Sequence, residues 1–170
     1  MVYRLIGFVL LCAAGTAMGV RAKRAVAVRV QALAAFGSAF EQMQQAIAHA
    51  KTPPAVLFEK LRAQKNVAAP FFAAAEAAIK CGSSPERAWK RACEDVGSAL
   101  ALLPAELAEL QTVGKALVSL HTEAVLQVLG ASAALFAQWA KTAESMRKND
   151  ERLRLTLWVT AALLVGILLV

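Results

Sequence analysis

A chain of 170 residues, 58% hydrophobic and carrying a formal charge of +7, is long enough for one modest domain and not for several. The pI near 9.7 invites a nucleic-acid reading, since clustered Lys and Arg release counterions from phosphate. The placement of the charge excludes it: from Val30 to Ala140 nine basic residues are balanced by nine acidic ones, and the surplus lies at Arg4, at Arg21, Lys23, Arg24 and Arg29, and at a net two positions within 141–154.

Those basic positions border two uncharged apolar runs of 16 residues each, Leu5 to Val20 and Leu155 to Val170. As helices the runs are about 24 Å long, against roughly 30 Å of bilayer hydrocarbon. Arg4 and Arg154 extend them by snorkelling, and Tyr3 and Trp158 suit the interfaces. Both are expected to span a membrane. Lys and Arg beside a short span favour the cytoplasmic side, so the middle of the chain is expected in the cytoplasm and both ends on the far face. The expected organisation is an N-terminal transmembrane helix over 1–21, a cytoplasmic helical bundle over 22–154 and a C-terminal transmembrane helix over 155–170. A cleaved secretory signal ending before Val20 is the competing reading of the first run, and the cluster Arg21 to Arg29 opposes it.

After the first span the helix continues. Val26, Leu33, Phe40 and Ile47 recur every seven residues, with Val30 and Gly37 between them, as one buried stripe. Pro53 and Pro54 stop it near Lys51. Thr52 is the expected N-cap of a second helix, opened by Pro53 and running through Gln64, with Val56, Leu57 and Leu61 inward. A third starts near Pro70, carries Phe72, Ala75 and Ile79, and ends at Gly82. Ser83 and Glu86 stand at capping-box spacing around Pro85, which opens a fourth helix with Trp89, Cys93 and Val96 inward. Pro104 begins a fifth, whose stripe is Leu103, Leu107, Leu110, Gly114 and Leu117. After a turn at Leu120 to Thr122, a sixth helix carries Val125, Leu129, Ser132, Phe136, Trp139, Ala143 and Met146 inward and runs on into the second span. The expected fold is all-α: a roughly six-helix antiparallel bundle with long first and last helices, and no strand.

Chemistry is hard to find in these residues. His49 and His121 have no Cys, Asp or Glu at metal-ligand spacing, and Cys12, Cys81 and Cys93 form no C-x-x-C pair. Cys81 and Cys93 read as small apolar packing residues of a reducing compartment. Glu94 with Asp95, and Glu106 with Glu109, imitate acid-base dyads but fall on polar helix faces, where carboxylates are solvated. Gly82-Ser83-Ser84 lacks the glycine spacing and the Lys of a phosphate loop. Trp89 and Trp139 fall in apolar stripes and read as core. No catalytic, cofactor-binding or metal-binding residue is expected.

The order of several features resembles the stage III sporulation protein AB family of endospore-forming bacteria over essentially the full chain. They are the short first span with its basic flank, Ile47 five residues before Thr52-Pro53, Gly82 followed by Ala88-Trp89 and Ala92, Gly114 with Leu117, Gln127 early in the last helix, and the second span. The chain departs from the family pattern at Ala46, where a Glu is usual, and at Leu117-Val118 followed by His121 or Glu123, where Leu-Gly and then Asp are usual. The resemblance implies a non-enzymatic structural subunit of the membrane-embedded, secretion-like channel complex between mother cell and forespore. Its cytoplasmic helical domain would be similar to that of the type II secretion system F platform protein. Implied partners are other subunits of that complex, its ATPase among them, and membrane lipid, with no nucleic acid, no small-molecule substrate and no cofactor. The implied location is the mother-cell membrane facing the forespore. The alternatives of another class are a generic membrane-anchored helical adaptor and a small pore-forming membrane protein unrelated to sporulation. Gly15, Gly19 and Gly166 permit close contact between spans, but no polar stripe lines a conduit.

Overall fold

Among the described residues, four helices carry a proline in their first turn, where its missing N–H costs nothing. In this computed structural model the backbone is described for residues 2–50, 53–117 and 122–169, and the side chains for 24–49, 53, 56–117 and 122–149. Helix α1 covers Val2–Ala50, α2 Pro54–Arg62, α3 Ala69–Lys80, α4 Pro85–Val96, α5 Pro104–Ala116 and α6 Thr122–Leu169. A single 3-10 turn, Gly97–Leu100, joins α4 to α5, and there is no strand among the described residues.

The long helices α1 and α6 form an antiparallel pair. A methyl group on Gly37 would lie 3.5 Å from the carbonyl oxygen of Ala133 and from the amide nitrogen of Ala137, so the two backbones approach closely at this point. Seven residues further along α1, Gln44 donates to the carbonyl of Leu126 at 3.0 Å, with its amide lying over Gly130. Facing residue numbers therefore sum to about 172. The short helices follow in sequence as a chain of neighbours: α2 on α3, α3 on α4, α4 on α5, and α5 back onto α6.

The core lies where these elements meet. Phe36 and Phe40 of α1, Phe58 of α2, Phe71 and Phe72 of α3, Trp89 of α4 and Phe136 of α6 are each 1% exposed or less. They form one continuous set of ring contacts with centroids 4.9–6.4 Å apart, several of them edge-to-face. Burial of one such ring stabilises by about 1.5–3 kcal/mol, so each member of this cluster contributes substantially to holding the helices together.

Several expectations need correction. Val26 and Met146 are exposed by 40% and 64%, because among the described residues burial begins at Ala32 on α1 and ends at Ala143 on α6, and both stripes run past that core. Leu103 is the exposed N-cap of α5 and not part of its stripe. The N-cap of α2 is Pro53, with Pro54 at the first helical position, and Thr52 falls outside the described residues. The N-cap of α4 is Ser84 in place of Ser83. Its Oγ accepts from the Arg87 N–H at 3.4 Å, and Ser83 instead completes the end of α3. There Gly82 takes a φ of +85°, the Gly82 N–H donates to Ile79 and the Ser83 N–H to Ala78, a Schellman end that a residue with a Cβ adopts only under strain.

The expected transmembrane spans, 1–21 and 155–170, lie outside the residues whose side chains are described. No helix among the described residues is long and apolar enough to cross a membrane, so the structure gives the spans no support. The described parts of α1 and α6 are amphipathic: each buries one arc and turns Gln31, Ala34, Ser38 and Gln45, or Gln127, Ala131, Ala134 and Gln138, to the outside.

Candidate functional site

The most organised polar chemistry sits on one face of α5. Glu106 has a side chain only 3% exposed. Its carboxylate accepts from Arg29 through Nε at 3.1 Å to each oxygen and through Nη2 at 2.5 Å, and from the backbone N–H of Leu103 at 2.7 Å. The last contact is half of a capping box, since Leu103 has no acceptor to return it, and a carboxylate in the first turn also complements the helix dipole. One turn on, Glu109 accepts from the buried Ser132 hydroxyl of α6 at 2.7 Å. Glu106 and Glu109 are thus not a solvated pair. They point to different long helices, and each is satisfied by its own partner.

The expectation that Glu106 is solvated on a polar face fails here, and Arg29 has a partner the sequence did not show. Arg29 is one of the four basic residues that follow the first apolar run, and Glu106 falls on what reads as a polar helix face. Their side chains are 24% and 3% exposed, and they neutralise one another across 77 residues of sequence. Only the helical phase of Glu106, three residues after Leu103 and four before Leu110, hinted at it.

A second buried carboxylate, Glu76 of α3, lies 2.5 Å from the Lys80 ammonium and 3.0 Å from the Arg62 guanidinium. Both cations bring charge of the opposite sign directly against the carboxylate. Lys80 first, then Arg62, holds the carboxyl below its ordinary value against burial that pushes it up. Both cations are more than half-exposed or close to it, and the arrangement staples α2 to α3.

The fourth and fifth helices meet at Trp89 and Gly114. The indole Nε1 donates to the carbonyl of Leu110 at 2.7 Å, so the one polar atom of this buried ring is satisfied. A Cβ on Gly114 would stand 2.3 Å from Trp89 Cδ1, which is why α4 and α5 can close on each other only at a glycine. Outside this contact runs a groove of about 240 Å³, lined by Glu86, Trp89, Lys90, Gln111, Gly114 and Lys115.

Among the residues weighed for chemistry, His49 is exposed and His121 lies outside the described residues. Glu94 and Asp95 are exposed, at 4.0 Å from Lys90 and 3.8 Å from Arg91. Cys81 is exposed, against expectation, because it sits at the C-cap of α3 as the chain turns outward. Cys93 is buried, and burial, helped by the neighbouring Glu94, pushes its thiol up to about 12; it packs as a protonated apolar group. Trp139 is half-buried against Phe136 at 5.3 Å. No group of three His, Cys, Asp or Glu side chains able to hold a metal ion forms among the described residues.

Four short helices braced against a long antiparallel pair, with buried carboxylates used as ties between elements, define an all-helical bundle protein. The model of one family, stage III sporulation protein AB, matches residues 4–170, and the chain belongs to that family. A solved structure described as stage III sporulation protein AB shares the fold, with a TM-score of 0.66 at 18% sequence identity over 72% of this chain and 98% of that one. No curated protein sequence matches the chain significantly. The family establishes a role in sporulation, as the resemblance implied.

Proposed function

We propose that this protein is a non-enzymatic structural subunit of the membrane-embedded channel complex between mother cell and forespore. In this reading the two terminal runs anchor it in the mother-cell membrane, the helical bundle lies in the cytoplasm, and the bundle holds other subunits of the complex, its ATPase among the candidates. The observation that carries the reading is the register of the long pair. Facing residue numbers on α1 and α6 sum to about 172. Carried outward in sequence, that register sets the run 5–20 against 152–167, within three residues of the run 155–170. Two apolar segments at one height, continuous with one antiparallel pair, suit a single bilayer above the bundle. The use of buried carboxylates as ties between helices also suits a body built to hold a shape.

The test is a tagged full-length chain expressed in sporulating cells and extracted in mild detergent, with a reporter fused after residue 100. Recovery of other subunits of the sporulation channel, and a cytoplasmic reporter, are the expected results. A chain recovered without any of those subunits, or a reporter on the far side of the membrane, overturns the proposal.

A further inference from the structure

Of the exposed large apolar side chains among the described residues, Val26, Leu103 and Met146 share one end of the bundle, and Val56 lies at the other. The register of the long pair brings the first and last together, since facing numbers sum to about 172 and 26 with 146 meets that sum. Helix α5 adds the third. Glu106 meets Arg29, while Glu109 meets Ser132, which faces residue 40 of α1, so α5 begins near this end and runs away from it. Leu103, its N–H on the Glu106 carboxylate, caps that beginning and is 48% exposed. The same end is basic: Arg24 is exposed there, and Arg147 and Lys148 share one acid, Glu144, at 3.0 and 3.5 Å. Both apolar runs of the chain leave from it. At about 1.5 Å per residue, Val26 lies about 9 Å of helix from Val20 and Met146 about 13 Å from Leu155. Runs of about 24 Å in roughly 30 Å of hydrocarbon leave about 3 Å on each side, and the headgroup layer adds about 5–7 Å more. The apolar tip thus falls at the edge of the headgroup layer of any bilayer the runs cross.

We propose that this end of the bundle beds against the membrane surface, with Val26, Leu103 and Met146 in the interfacial zone and the surrounding basic residues on anionic lipid headgroups. The proposal rests on the anchored topology proposed above and adds a further point of contact, at the start of α5. Three apolar side chains bury too little area to hold a free protein on a bilayer. On a bundle already tethered by two spans the contact is intramolecular in effect, and it fixes the tilt of the bundle under the membrane. Apolar side chains in that zone with Lys and Arg around them suit anionic lipid over zwitterionic lipid.

The test places a photoreactive benzoylphenylalanine at Leu103, at Val56 or at Leu163 of the full-length chain, which is reconstituted into vesicles of equal parts phosphatidylcholine and phosphatidylglycerol. Val56 controls for the greasiness of the probe, being exposed at the far end of the bundle, and Leu163 reports the second apolar run. After irradiation, mass spectrometry is expected to find about tenfold more lipid adduct at position 103 than at position 56, with phosphatidylglycerol in excess. Adduct at 103 no greater than at 56, capture there without headgroup preference, or a crosslink from 103 to a second copy of the chain overturns the proposal. So does a crosslink from 103 to a protein in place of lipid in membranes of sporulating cells. Lipid captured at 163 and not at 103 excludes the surface contact and leaves the anchored topology standing. Lipid captured at 103 and not at 163 supports the contact and removes the second span.

Discussion

Arg29 and Glu106 form a pair whose value depends on both members being present. Removing the cation leaves a carboxylate in a site 3% exposed with only the Leu103 N–H for company. Arg29→Met is therefore expected to lower unfolding stability by about 3 kcal/mol, the lower end for breaking a buried pair because Arg29 retains some solvent. Arg29→Met/Glu106→Met should lose less than the single variant, since no charge is then stranded. Urea denaturation of the unmodified protein, Arg29→Met, Glu106→Met and the double variant measures the cycle, and a double variant less stable than Arg29→Met contradicts it. At Gly114 the argument is steric. Trp89 is hemmed in by Phe40, Phe58, Phe71 and Phe72 and cannot retreat from a new methyl group. Gly114→Ala should cost about 1–3 kcal/mol despite the better helix propensity of Ala, read as a fall in thermal midpoint.

At the scale of elements, helix ends carried their own signatures and were largely legible. Pro54, Pro85 and Pro104 open helices, Pro70 is the second residue of one, and Gly82 closes one. What was missed turns on contacts that sequence does not display. The two serines after Gly82 are equivalent in composition, and the choice of Ser84 as N-cap follows from the Schellman end consuming Ser83. Ser84→Ala is accordingly expected to cost about 0.5–1 kcal/mol and Ser83→Ala close to nothing, in thermal melts of the two variants. Phe36 was absent from the expected stripe of α1 because a seven-residue repeat selects a narrow seam, and Phe58 and Phe71 were not among the inward positions expected on α2 and α3. Helix α3 buries both Phe71 and its neighbour Phe72, since α2 and α4 cover it from different directions. The burial of Glu106 was illegible for the same kind of reason: its partner is 77 residues away, on a helix whose basic residues have an obvious alternative meaning.

The whole molecule should be sensitive to acid. The carboxyls of Glu76 and Glu144 both lie below their ordinary value of 4.5, the first chiefly through Lys80 and the second chiefly through Arg147. A carboxyl depressed in the folded state binds fewer protons there than in the unfolded chain. Its contribution is thus fully present above the unfolded value and is lost as pH falls from about 4.5 through the folded value. Circular-dichroism melts are expected to show a flat midpoint from neutrality down to that range and a decline below it. Glu76→Gln should lower the plateau and flatten the decline. An undiminished decline in that variant places the acid sensitivity elsewhere. The overall architecture was the most legible level of all, since apolar spacing punctuated by prolines and Gly82 gave six helices with long ones first and last. The groove beside Gly114 was not, because it exists only where two helices separated by a turn are brought side by side.

The two carboxylates one turn apart on α5 have a mechanical consequence. Glu106 is tied to α1 and Glu109 to α6, so a short helix spans the seam between the two long ones. Sliding one long helix past the other by a single turn, about 5.4 Å, breaks at least one of these ties outright. Helix α5 is a cross-brace: it locks the sliding coordinate of the long pair, and any axial pull on either end of the chain is shared by both rods.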